Sequence, residues 1–600
     1  MKVLPNRAEV PVEFTWDLTH IVKDDEAWHA LYQECEKIAR ELAAEEKTFL
    51  ASSESLYSFL QRNDELNLKF EQVYGYAQMS WHQDTSDSAK QELAQKADSL
   101  NVLMKSQLAF LTPAILSLPK ETYDKYFEEK SELKLYKQSF DDLFRIQQHV
   151  LPKEQEEIMA LVQDVTSGIE NTYSMFNNAD LRFEPVTDEK GEKVELTHGS
   201  YIGLMESSNR DVRKAAFESM YNAYKANINT VASIFSMNLR NHVLNMKVRR
   251  FDSTCEASLF ENNLPVSIYE QLIENVSEYL PLLHRYVGIR KKIMNLTELH
   301  MYDLYTPLFP NNDTKFSFEE AKETVLKSLA PMGDKYVSVV KEAFENRWLD
   351  VYENKGKCSG AYSSAVYGVH PYVLLNYHDK LNDMFTLTHE MGHAMHSYLS
   401  NEKQEFVNHD YGIFLAEIAS TCNENLLIQY LLKNTEDKNS KLAYMNHFLE
   451  GFRGTIFRQT MFAEYEKLTH ELAEKGEALT ADKLSALYYD LNKKYYGEEI
   501  VMDDLIRYEW ARIPHFYYDY YVFQYATGLI SSVAIADMIL NEGQSAVERY
   551  TNEFLSAGKS KYPLDILKNT GVDITHKEPT ERAMKVFEDM MNQMEALLSE

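Results

Sequence analysis

Hydrophobic residues recur at intervals of three and four positions along most of this chain, which is the spacing of amphipathic helices. Residues 24–180 repeat the pattern, as in residues 28–38, and polar breaks such as residues 84–87 offer Ser and Asp side chains that suit helix caps. Two β-prone stretches, residues 183–186 and 193–196, flank a turn-forming segment and predict a hairpin. The pattern therefore predicts a mainly α-helical protein.

Helical periodicity resumes at Tyr201, and no fixed-period repeat or low-complexity linker divides the chain. A chain of 600 residues with 44% hydrophobic content can bury a large core and form several lobes. We therefore predict an N-terminal helical lobe, residues 1–200, and a second region, residues 201–600, with a soft boundary between them.

The formal net charge of the chain is −31, and residues 247–250 form only a brief basic run. This charge disfavours nucleic acids and anionic membranes as partners. The apolar tract at residues 528–540 is too short and too polar to predict a membrane span, and residues 1–7 lack a signal-peptide core. The four cysteines are far apart and predict no disulfide framework. We expect a cytoplasmic protein that binds neither nucleic acid nor membrane. We expect it to be a monomer or a small homo-oligomer.

One segment carries candidate metal chemistry, His389-Glu390-Met391-Gly392-His393. At four-residue spacing on a helix the two histidines share one face, and Glu390 lies beside them. Apolar residues around the segment predict a buried helix. Three polar groups in such a helix are costly unless they are hydrogen-bonded or bind a metal. The pattern predicts one zinc ion per chain, with His389 and His393 as ligands and Glu390 near the open position. The alternative is a helix with solvated or packed histidines.

Three positions near this motif refine the interpretation. Gly392 costs about 1 kcal/mol relative to Ala inside a helix, which indicates that another element packs closely there. His396 lies one turn further along and is predicted to be a packed or hydrogen-bonded residue rather than a ligand. Leu399 stands where the extended metzincin pattern has its third histidine, so that class is disfavoured.

A catalytic zinc site needs a third protein ligand. Glu417 is the only charged residue in the apolar run at residues 413–422. A buried carboxylate is costly unless it is paired or bound to a metal, so we predict Glu417 as the third ligand. The alternative is a structural ion pair. Glu424, two turns further on, is a candidate to contact one of the zinc ligands without binding the metal itself.

Two histidines four residues apart with a glutamate after the first are typical of zinc peptidases. Donors for the oxyanion formed during peptide hydrolysis are expected near such a zinc site. Pro514 suits the first turn of a helix, and Tyr518, Tyr521 and Tyr525 follow at intervals of three and four residues. These tyrosines are therefore predicted to share one helix face with His515 and to supply the donors. A Tyr-rich stripe suits a polar-lined cavity, whereas the alternative is an aromatic core stripe.

Two β-prone runs, residues 362–367 and 372–376, are separated by Gly368 and Pro371 and predict a short hairpin. An edge strand beside the zinc would bind an extended peptide through main-chain hydrogen bonds, with little demand on its sequence. The predicted substrate-binding residues are Tyr372, Val373, Leu374 and Asn376. The alternative is a structural hairpin without substrate contact.

Taken together, these segments resemble the oligoendopeptidase F branch of the thimet-oligopeptidase family of zinc metallopeptidases. The segments that carry the resemblance are Gly360-Ala-Tyr-Ser363, Pro371-Tyr-Val-Leu-Leu-Asn376, His389-Glu-Met-Gly-His393-Ala-Met-His396, Glu417-Ile-Ala-Ser420 and Arg512-Ile-Pro-His515-Phe-Tyr-Tyr-Asp-Tyr-Tyr521-Val-Phe-Gln-Tyr525-Ala-Thr-Gly528. The resemblance implies an almost entirely helical, prolate molecule with a deep internal channel that admits short unstructured peptides. It also implies that His515 and tyrosines of the last segment contact the substrate and the transition state.

Because Tyr517 and Tyr520 also lie in this segment, more than one set of tyrosines matches the family pattern. We select Tyr518, Tyr521 and Tyr525 as the predicted contacts.

The sequence thus predicts a zinc metalloendopeptidase that hydrolyses internal bonds of short oligopeptides, with residues 201–600 as its catalytic region. Glu390 is expected to take a proton from the attacking water and to return it to the leaving amine.

Two alternatives remain open. An exopeptidase, either a carboxypeptidase or a dipeptidase, would need a charged anchor for a chain terminus. The candidate anchors are Arg453, Arg458, Arg507 and Arg512. The other alternative is a non-catalytic peptide-binding protein of the same fold.

Overall fold

The computed structural model describes residues 4–309 and 315–600, so the start of the N-terminal segment and residues 310–314 lie outside the described part. The protein is mainly helical, as the sequence predicts. The first α-helix, Asp25–Ala44, illustrates the reason, because Trp28 and Cys35 lie on its buried stripe and Asp24 caps it by accepting a hydrogen bond from the Ala27 N–H.

The α-helices are numbered here in chain order. They are α1 (Asp25–Ala44), α2 (Ser53–His82), α3 (Ser88–Gln107), α4 (Leu111–Ser117), α5 (Lys120–Glu129), α6 (Lys137–Ile146), α7 (Lys153–Thr166), α8 (Gly168–Met175), α9 (His198–Met205), α10 (Arg210–Ala226), α11 (Ile228–Arg249), α12 (Thr254–Leu259), α13 (Val266–Glu278), α14 (Leu280–Ile293), α15 (Phe318–Ser328), α16 (Asp334–Glu345), α17 (Leu381–Lys403), α18 (Ile413–Asn434), α19 (Lys438–Gly451), α20 (Arg458–Glu474), α21 (Ala481–Tyr496), α22 (Phe523–Glu542), α23 (Gln544–Arg549), α24 (Pro563–Thr570) and α25 (Glu578–Ser599).

Short strands form three small sheets within the described residues. The strands are β1 (Val186–Thr187), β2 (Lys193–Val194), β3 (Leu299–His300), β4 (Leu349–Asp350), β5 (Tyr362–Ser364), β6 (Tyr372–Leu374) and β7 (Ile500–Val501). The antiparallel pair of β1 and β2 confirms the first predicted hairpin. A parallel pair joins β3 to β7.

The third sheet has the strand order β4-β6-β5. The second predicted hairpin is confirmed, since β5 and β6 are antiparallel with Ser363 opposite Val373. The prediction of an edge strand at residues 372–376 is wrong, because β4 pairs in parallel with the other side of β6, placing Leu349 opposite Val373. A hydrophobic run is β-prone at an edge and in the centre alike, so the sequence did not reveal this second partner.

The chain folds into two compact units, each assembled from three segments. The first comprises Met1–Gln148, Asp313–Tyr430 and Ile535–Val572, and the second comprises His149–Asn312, Leu431–Ala534 and Asp573–Glu600. The sequence-based boundary near residue 200 falls inside the segment His149–Asn312. Because each unit combines distant segments, periodicity along the chain does not reveal it, and the division at residue 200 stays a prediction.

A hydrophobic core in the first unit joins the N-terminal helices to the third sheet. Trp28 and Leu56 are fully buried in the same cluster as Tyr372 and Leu374 of β6. The Tyr372 hydroxyl donates a hydrogen bond to the Asp17 carbonyl oxygen at 2.8 Å. Burying a side chain of this size stabilises a fold by about 1.5–3 kcal/mol, so these β6 residues anchor the sheet.

The helix α22 is long and apolar enough to cross a membrane by length and composition. The sequence-based expectation of a tract that is too short is therefore wrong, because the helix already begins at Phe523 and has 20 residues. Of its most apolar window, 72% is buried inside the protein. Burial on this scale is typical of a core helix.

The helices α17 and α18 approach each other closely at Gly392. A Cβ atom on this residue would lie 2.5 Å from the Ser420 Cα and 2.7 Å from the Ala419 carbonyl oxygen. Both are backbone atoms, which cannot move aside as the end of a flexible side chain can. The close neighbour predicted from Gly392 is therefore confirmed.

We expect the substitution Gly392→Ala to destabilise the protein by about 1–3 kcal/mol, because the added methyl group forces the two helix backbones apart. Differential scanning calorimetry should show a lower unfolding temperature. The matched control is Gly203→Ala in α9, where a Cβ meets nothing within 4 Å. Alanine at this control position should leave the unfolding temperature unchanged or raise it. A Gly392→Ala protein as stable as the wild type would contradict the expected clash.

Candidate active site

The helix α17 places His389 and His393 one turn apart on the same face. Their ring centroids are 4.9 Å apart, and both residues are half-buried. Met384 and Leu387, one turn earlier, are buried and pack the start of the helix into the interior. The apolar lead-in thus fixes the helix, and the four-residue spacing aims both imidazoles in one direction.

The helix α18 brings Glu417 to the two histidines. Its Oε2 atom lies 3.3 Å from His389 Nε2 and 3.7 Å from His393 Nε2. Zinc bonds of about 2.0–2.1 Å at tetrahedral angles place ligand atoms about 3.3 Å apart, so the two nitrogens and the oxygen can hold a metal ion. The structure therefore brings together the three residues that the sequence predicts as ligands. The Ser420 hydroxyl also donates a hydrogen bond to Glu417 Oε2 at 3.2 Å.

Hydrogen bonds on the far side of the two imidazoles determine which nitrogen faces the cluster. His389 Nδ1 lies 2.5 Å from Glu424 Oε1, so Glu424 makes the contact expected of it from the sequence. The backbone carbonyl of Ala416 accepts a hydrogen bond from His393. A carboxylate or carbonyl behind each imidazole leaves the other nitrogen with its lone pair directed at a metal.

Carboxylates outnumber histidines around this cluster. Burial by itself lowers the pKa of His389, but hydrogen bonds to Glu417 and Glu424 outweigh it and raise the pKa to about 10. The hydrogen bond with His389 lowers the pKa of Glu417 to about 2 against the effect of burial. Burial and the nearby His389 lower the pKa of His393 to about 4. A site that stabilises positive charge this strongly fits a divalent cation.

Glu390 is almost fully buried, with 6% of its surface exposed. Burial is the main cause that raises the pKa of its carboxyl to about 7, and the charge of Glu417 adds to the effect. The backbone N–H of Ser363 in β5 donates a hydrogen bond to this carboxylate. A carboxyl group that titrates near neutrality is suited to accept and release a proton.

His396 does not join the cluster. Its ring stacks on Tyr411 with centroids 3.5 Å apart, and Phe554 packs nearby. Burial and the nearby His393 lower the pKa of His396 to about 3. The residue is packed, as the sequence predicts, although neither ring nitrogen has a hydrogen-bond partner among the described residues.

The residues predicted to bind substrate lie in and just after β6. The side chains of Tyr372, Val373 and Leu374 are at most 1% exposed. The Asn376 amide donates hydrogen bonds to two backbone carbonyls of the preceding loop, at 3.0 and 2.8 Å. The side chains of the three β6 residues lie in the core and both edges of β6 are already paired, which disfavours contact with a substrate there; the contact of all four residues with substrate stays a prediction. In this hairpin, Ser363 is the residue whose backbone hydrogen-bonds Glu390, and the sequence pointed to it only as part of the resembling segment.

His515 lies in the second unit, in the short 3-10 helix Pro514–Tyr517. The prediction of one continuous helix through the following tyrosines is wrong, because the backbone of Tyr518 is extended and Tyr520 has a φ of +48°. The next α-helix begins only at Phe523. A left-handed tyrosine depends on contacts elsewhere in the fold, which local sequence does not show.

The selected rings nevertheless form one cluster. The ring centroids of Tyr518, Tyr521 and Tyr525 lie 5.7, 6.1 and 5.9 Å from that of His515. The Tyr525 hydroxyl is 3.4 Å from His515 Nε2, and burial lowers the pKa of this histidine. The neighbouring tyrosines at positions 517 and 520 are instead buried. The turn therefore separates the tyrosines that cluster around His515 from those that pack in the core.

The arginines considered as anchors for a peptide terminus all have carboxylate partners. Arg453 pairs with Glu450, Arg458 and Arg512 with Glu509, and Arg507 with Asp504. A paired guanidinium is a poor anchor, because binding a peptide carboxylate would disturb the existing pair.

Comparison with known proteins identifies relatives of this chain along its whole length. The family model described as Peptidase family M3 matches residues 203–586, and the model described as Oligopeptidase F matches residues 115–183. Oligopeptidase PepF of Bacillus subtilis is 46% identical over 99% of this chain and 89% of its own length. The plasmid-encoded oligoendopeptidase F of Lactococcus lactis subsp. cremoris is 42% identical over 99% of this chain and 98% of its own.

Solved structures show the same fold. The crystal structure of a Chlamydophila abortus protein has a TM-score of 0.93 and 34% identity, covering 99% of this chain and 100% of that one. The crystal structure of oligoendopeptidase-F from Enterococcus faecium has a TM-score of 0.73 and 37% identity, covering 96% and 99%. This chain belongs to peptidase family M3, in its oligopeptidase F group, and is a metallo-oligopeptidase.

Proposed function

We propose that this peptidase uses one catalytic zinc ion to hydrolyse internal bonds of short, unstructured peptides. The observation that carries the proposal is the convergence of His389 Nε2, His393 Nε2 and Glu417 Oε2 beside the buried carboxyl group of Glu390. A zinc ion held by these three atoms would polarise the scissile carbonyl and make water a stronger nucleophile at neutral pH.

Glu390 acts as the proton carrier in this mechanism. Its carboxylate takes a proton from the attacking water and delivers it to the nitrogen of the leaving amine. Burial, which raises the pKa of Glu390 to about 7, supports both halves of the transfer, because neither protonation state is strongly favoured at neutral pH. The Ser363 N–H orients the carboxylate through its hydrogen bond.

The outer edge of β5 takes the place of residues 372–376 as the proposed peptide-binding strand. Val373 directs its N–H to the Trp348 carbonyl oxygen, on the side away from β5. Ser363 is opposite Val373, so its own N–H and carbonyl also point away from β6, and the N–H reaches Glu390. Main-chain pairing at this edge would accept many peptide sequences.

His515, Tyr518, Tyr521 and Tyr525 remain the proposed donors to the oxyanion. Their chemistry supports the assignment, since hydroxyl and imidazole N–H groups stabilise developing negative charge. Their common ring cluster supports treating them as one group. The channel that excludes folded proteins stays a prediction from the family resemblance.

Internal cleavage is favoured over cleavage at a terminus by the arginine contacts. Each candidate anchor already pairs with a carboxylate of this chain. A non-catalytic binding protein is disfavoured because Glu390 is present, buried and adjacent to the candidate ligands. We place the enzyme in the cytoplasm, supported by four free cysteines, three of them buried.

We expect Glu390→Gln to retain zinc while lowering kcat by about two to four orders of magnitude, because the amide cannot accept the proton. Hydrolysis of a quenched fluorescent peptide measures kcat, and metal analysis of the same sample measures the zinc content. Glu402→Gln, on the same helix but paired with Lys335, is the matched control and should retain wild-type turnover. Full hydrolysis by the Glu390→Gln protein would remove this residue from the mechanism.

We expect Glu417→Ala to weaken zinc binding by more than about 100-fold, because it removes a direct ligand. Glu424→Gln keeps a hydrogen-bond acceptor for His389 but removes the charge, so a loss of about tenfold is expected. Competition with a zinc chelator of known affinity measures both. If Glu424→Gln weakened binding more than Glu417→Ala, the assignment of ligand and supporting residue would be reversed.

We expect a peptide blocked at both termini to be cleaved internally, and a chelator to abolish that cleavage until zinc is restored. Mass spectrometry of the products identifies the broken bond. An exopeptidase requires a free terminus and would leave this peptide intact while degrading its unblocked version. A metal-independent enzyme would be unaffected by the chelator.

A further inference from the structure

A second group of potential ligand atoms lies within the second unit, outside the cluster described above. His242 belongs to α11, His470 to α20, and Asp519 to the turn after Pro514–Tyr517. The side chain of His470 is fully buried, that of His242 is 10% exposed and that of Asp519 is 37% exposed. The two histidines are 228 residues apart, so no sequence motif indicates this group.

The protonation of His470 is fixed by the backbone. Its Nδ1 atom lies 2.8 Å from the Glu466 carbonyl oxygen. A carbonyl only accepts, so Nδ1 carries the hydrogen and Nε2 presents a lone pair. Burial and the nearby His242 lower the pKa of His470 to about 3, which keeps the ring neutral. An imidazole held from behind by a carbonyl is typical of metal ligands.

The three ligand atoms have the separations of a tetrahedral metal site. His470 Nε2 lies 3.0 Å from His242 Nδ1 and 3.7 Å from Asp519 Oδ1, and the remaining pair is 3.2 Å apart. These values bracket the spacing of about 3.3 Å expected around zinc. We propose that His242, His470 and Asp519 form a second site for a divalent transition-metal ion of the zinc class.

A hydrogen bond between the two imidazoles does not satisfy the whole group. Asp519 Oδ1 is buried and has no hydrogen-bond partner among the described residues. A buried acceptor without a partner is unfavourable, and burial raises the pKa of Asp519. One cation would replace the hydrogen bond between the imidazoles when His242 carries its hydrogen on Nε2, and it would also bind Asp519 Oδ1. Two imidazoles and one carboxylate favour zinc-like ions over calcium or magnesium, which prefer oxygen ligands.

The proposed ion would restrain the turn that leads from His515 to Tyr521. The backbone of this turn already has two polar supports. The Ser258 hydroxyl donates to the Asp519 carbonyl oxygen at 2.7 Å, and the Tyr520 N–H donates to Glu466 Oε1 at 2.8 Å. A metal bond to the Asp519 side chain would add a third link, to α11 and α20. The site is therefore structural and positions the turn, and it does not depend on the proposed peptidase mechanism.

The test uses cobalt(II) as the probe and a full-length protein that lacks the first cluster, made by the substitutions His389→Ala and Glu417→Ala. After removal of metals, equilibrium dialysis should show one cobalt ion bound per chain, with the visible absorption of tetrahedral cobalt. Adding Asp519→Asn to this background should weaken cobalt binding at least about tenfold and remove the absorption. His242→Gln should do the same, and His576→Gln, at an exposed histidine, should not.

Circular dichroism establishes that each variant is folded, and Asp519→Asn nearly preserves the shape of the side chain. Absence of cobalt from the folded background protein would overturn the proposal, as would binding that Asp519→Asn and His242→Gln leave unchanged. Failure of the proposed zinc peptidase mechanism would instead appear in the wild-type activity and chelation measurements, which this background does not use.

Discussion

The contact between α17 and α18 at Gly392 is the constraint on which the candidate active site depends. With no side chain on this glycine, the backbone of Ser420 lies directly against the motif helix. His389 precedes Gly392 by three residues, and Glu417 precedes Ser420 by three. At a rise of 1.5 Å per residue, each lies about 4.5 Å along its helix axis from the contact. The short helix separation thus lets a glutamate side chain reach both imidazoles.

The same close packing creates the electrostatic character of the cluster. Glu390 is buried, and Glu417 and Glu424, whose side chains are 40% and 32% exposed, are held with it near two histidines. Concentrated carboxylates of this kind are stable only when positive charge is supplied by a proton or a metal ion. Burial therefore has two effects, since it favours a bound cation and raises the pKa of Glu390 into the range useful for proton transfer.

The sequence predicts those features that depend on short-range spacing. Helical periodicity gives the fold class, and the interval between His389 and His393 gives their common face. Features set by distant segments were missed. The central position of β6 depends on pairing with Leu349, and the group around His470 is built from two helices and a turn. The approach of Glu417 to both histidines was expected because a single charge in an apolar run has few explanations, although its side chain is 40% exposed rather than buried.

The aromatic cluster at His515 shows how an expected arrangement arises by an unexpected route. Helical spacing was expected to align the tyrosines, whereas a turn with a left-handed Tyr520 aligns them instead. That backbone conformation costs about 1–2 kcal/mol for a residue with a side chain. The buried carboxyl group of Glu466, whose Oε1 atom accepts a hydrogen bond from the Tyr520 N–H, offsets part of this cost. The positions of Tyr518 and Tyr521 therefore depend on polar groups contributed by α20, and a metal ion at Asp519 would act on the same turn through the same helix.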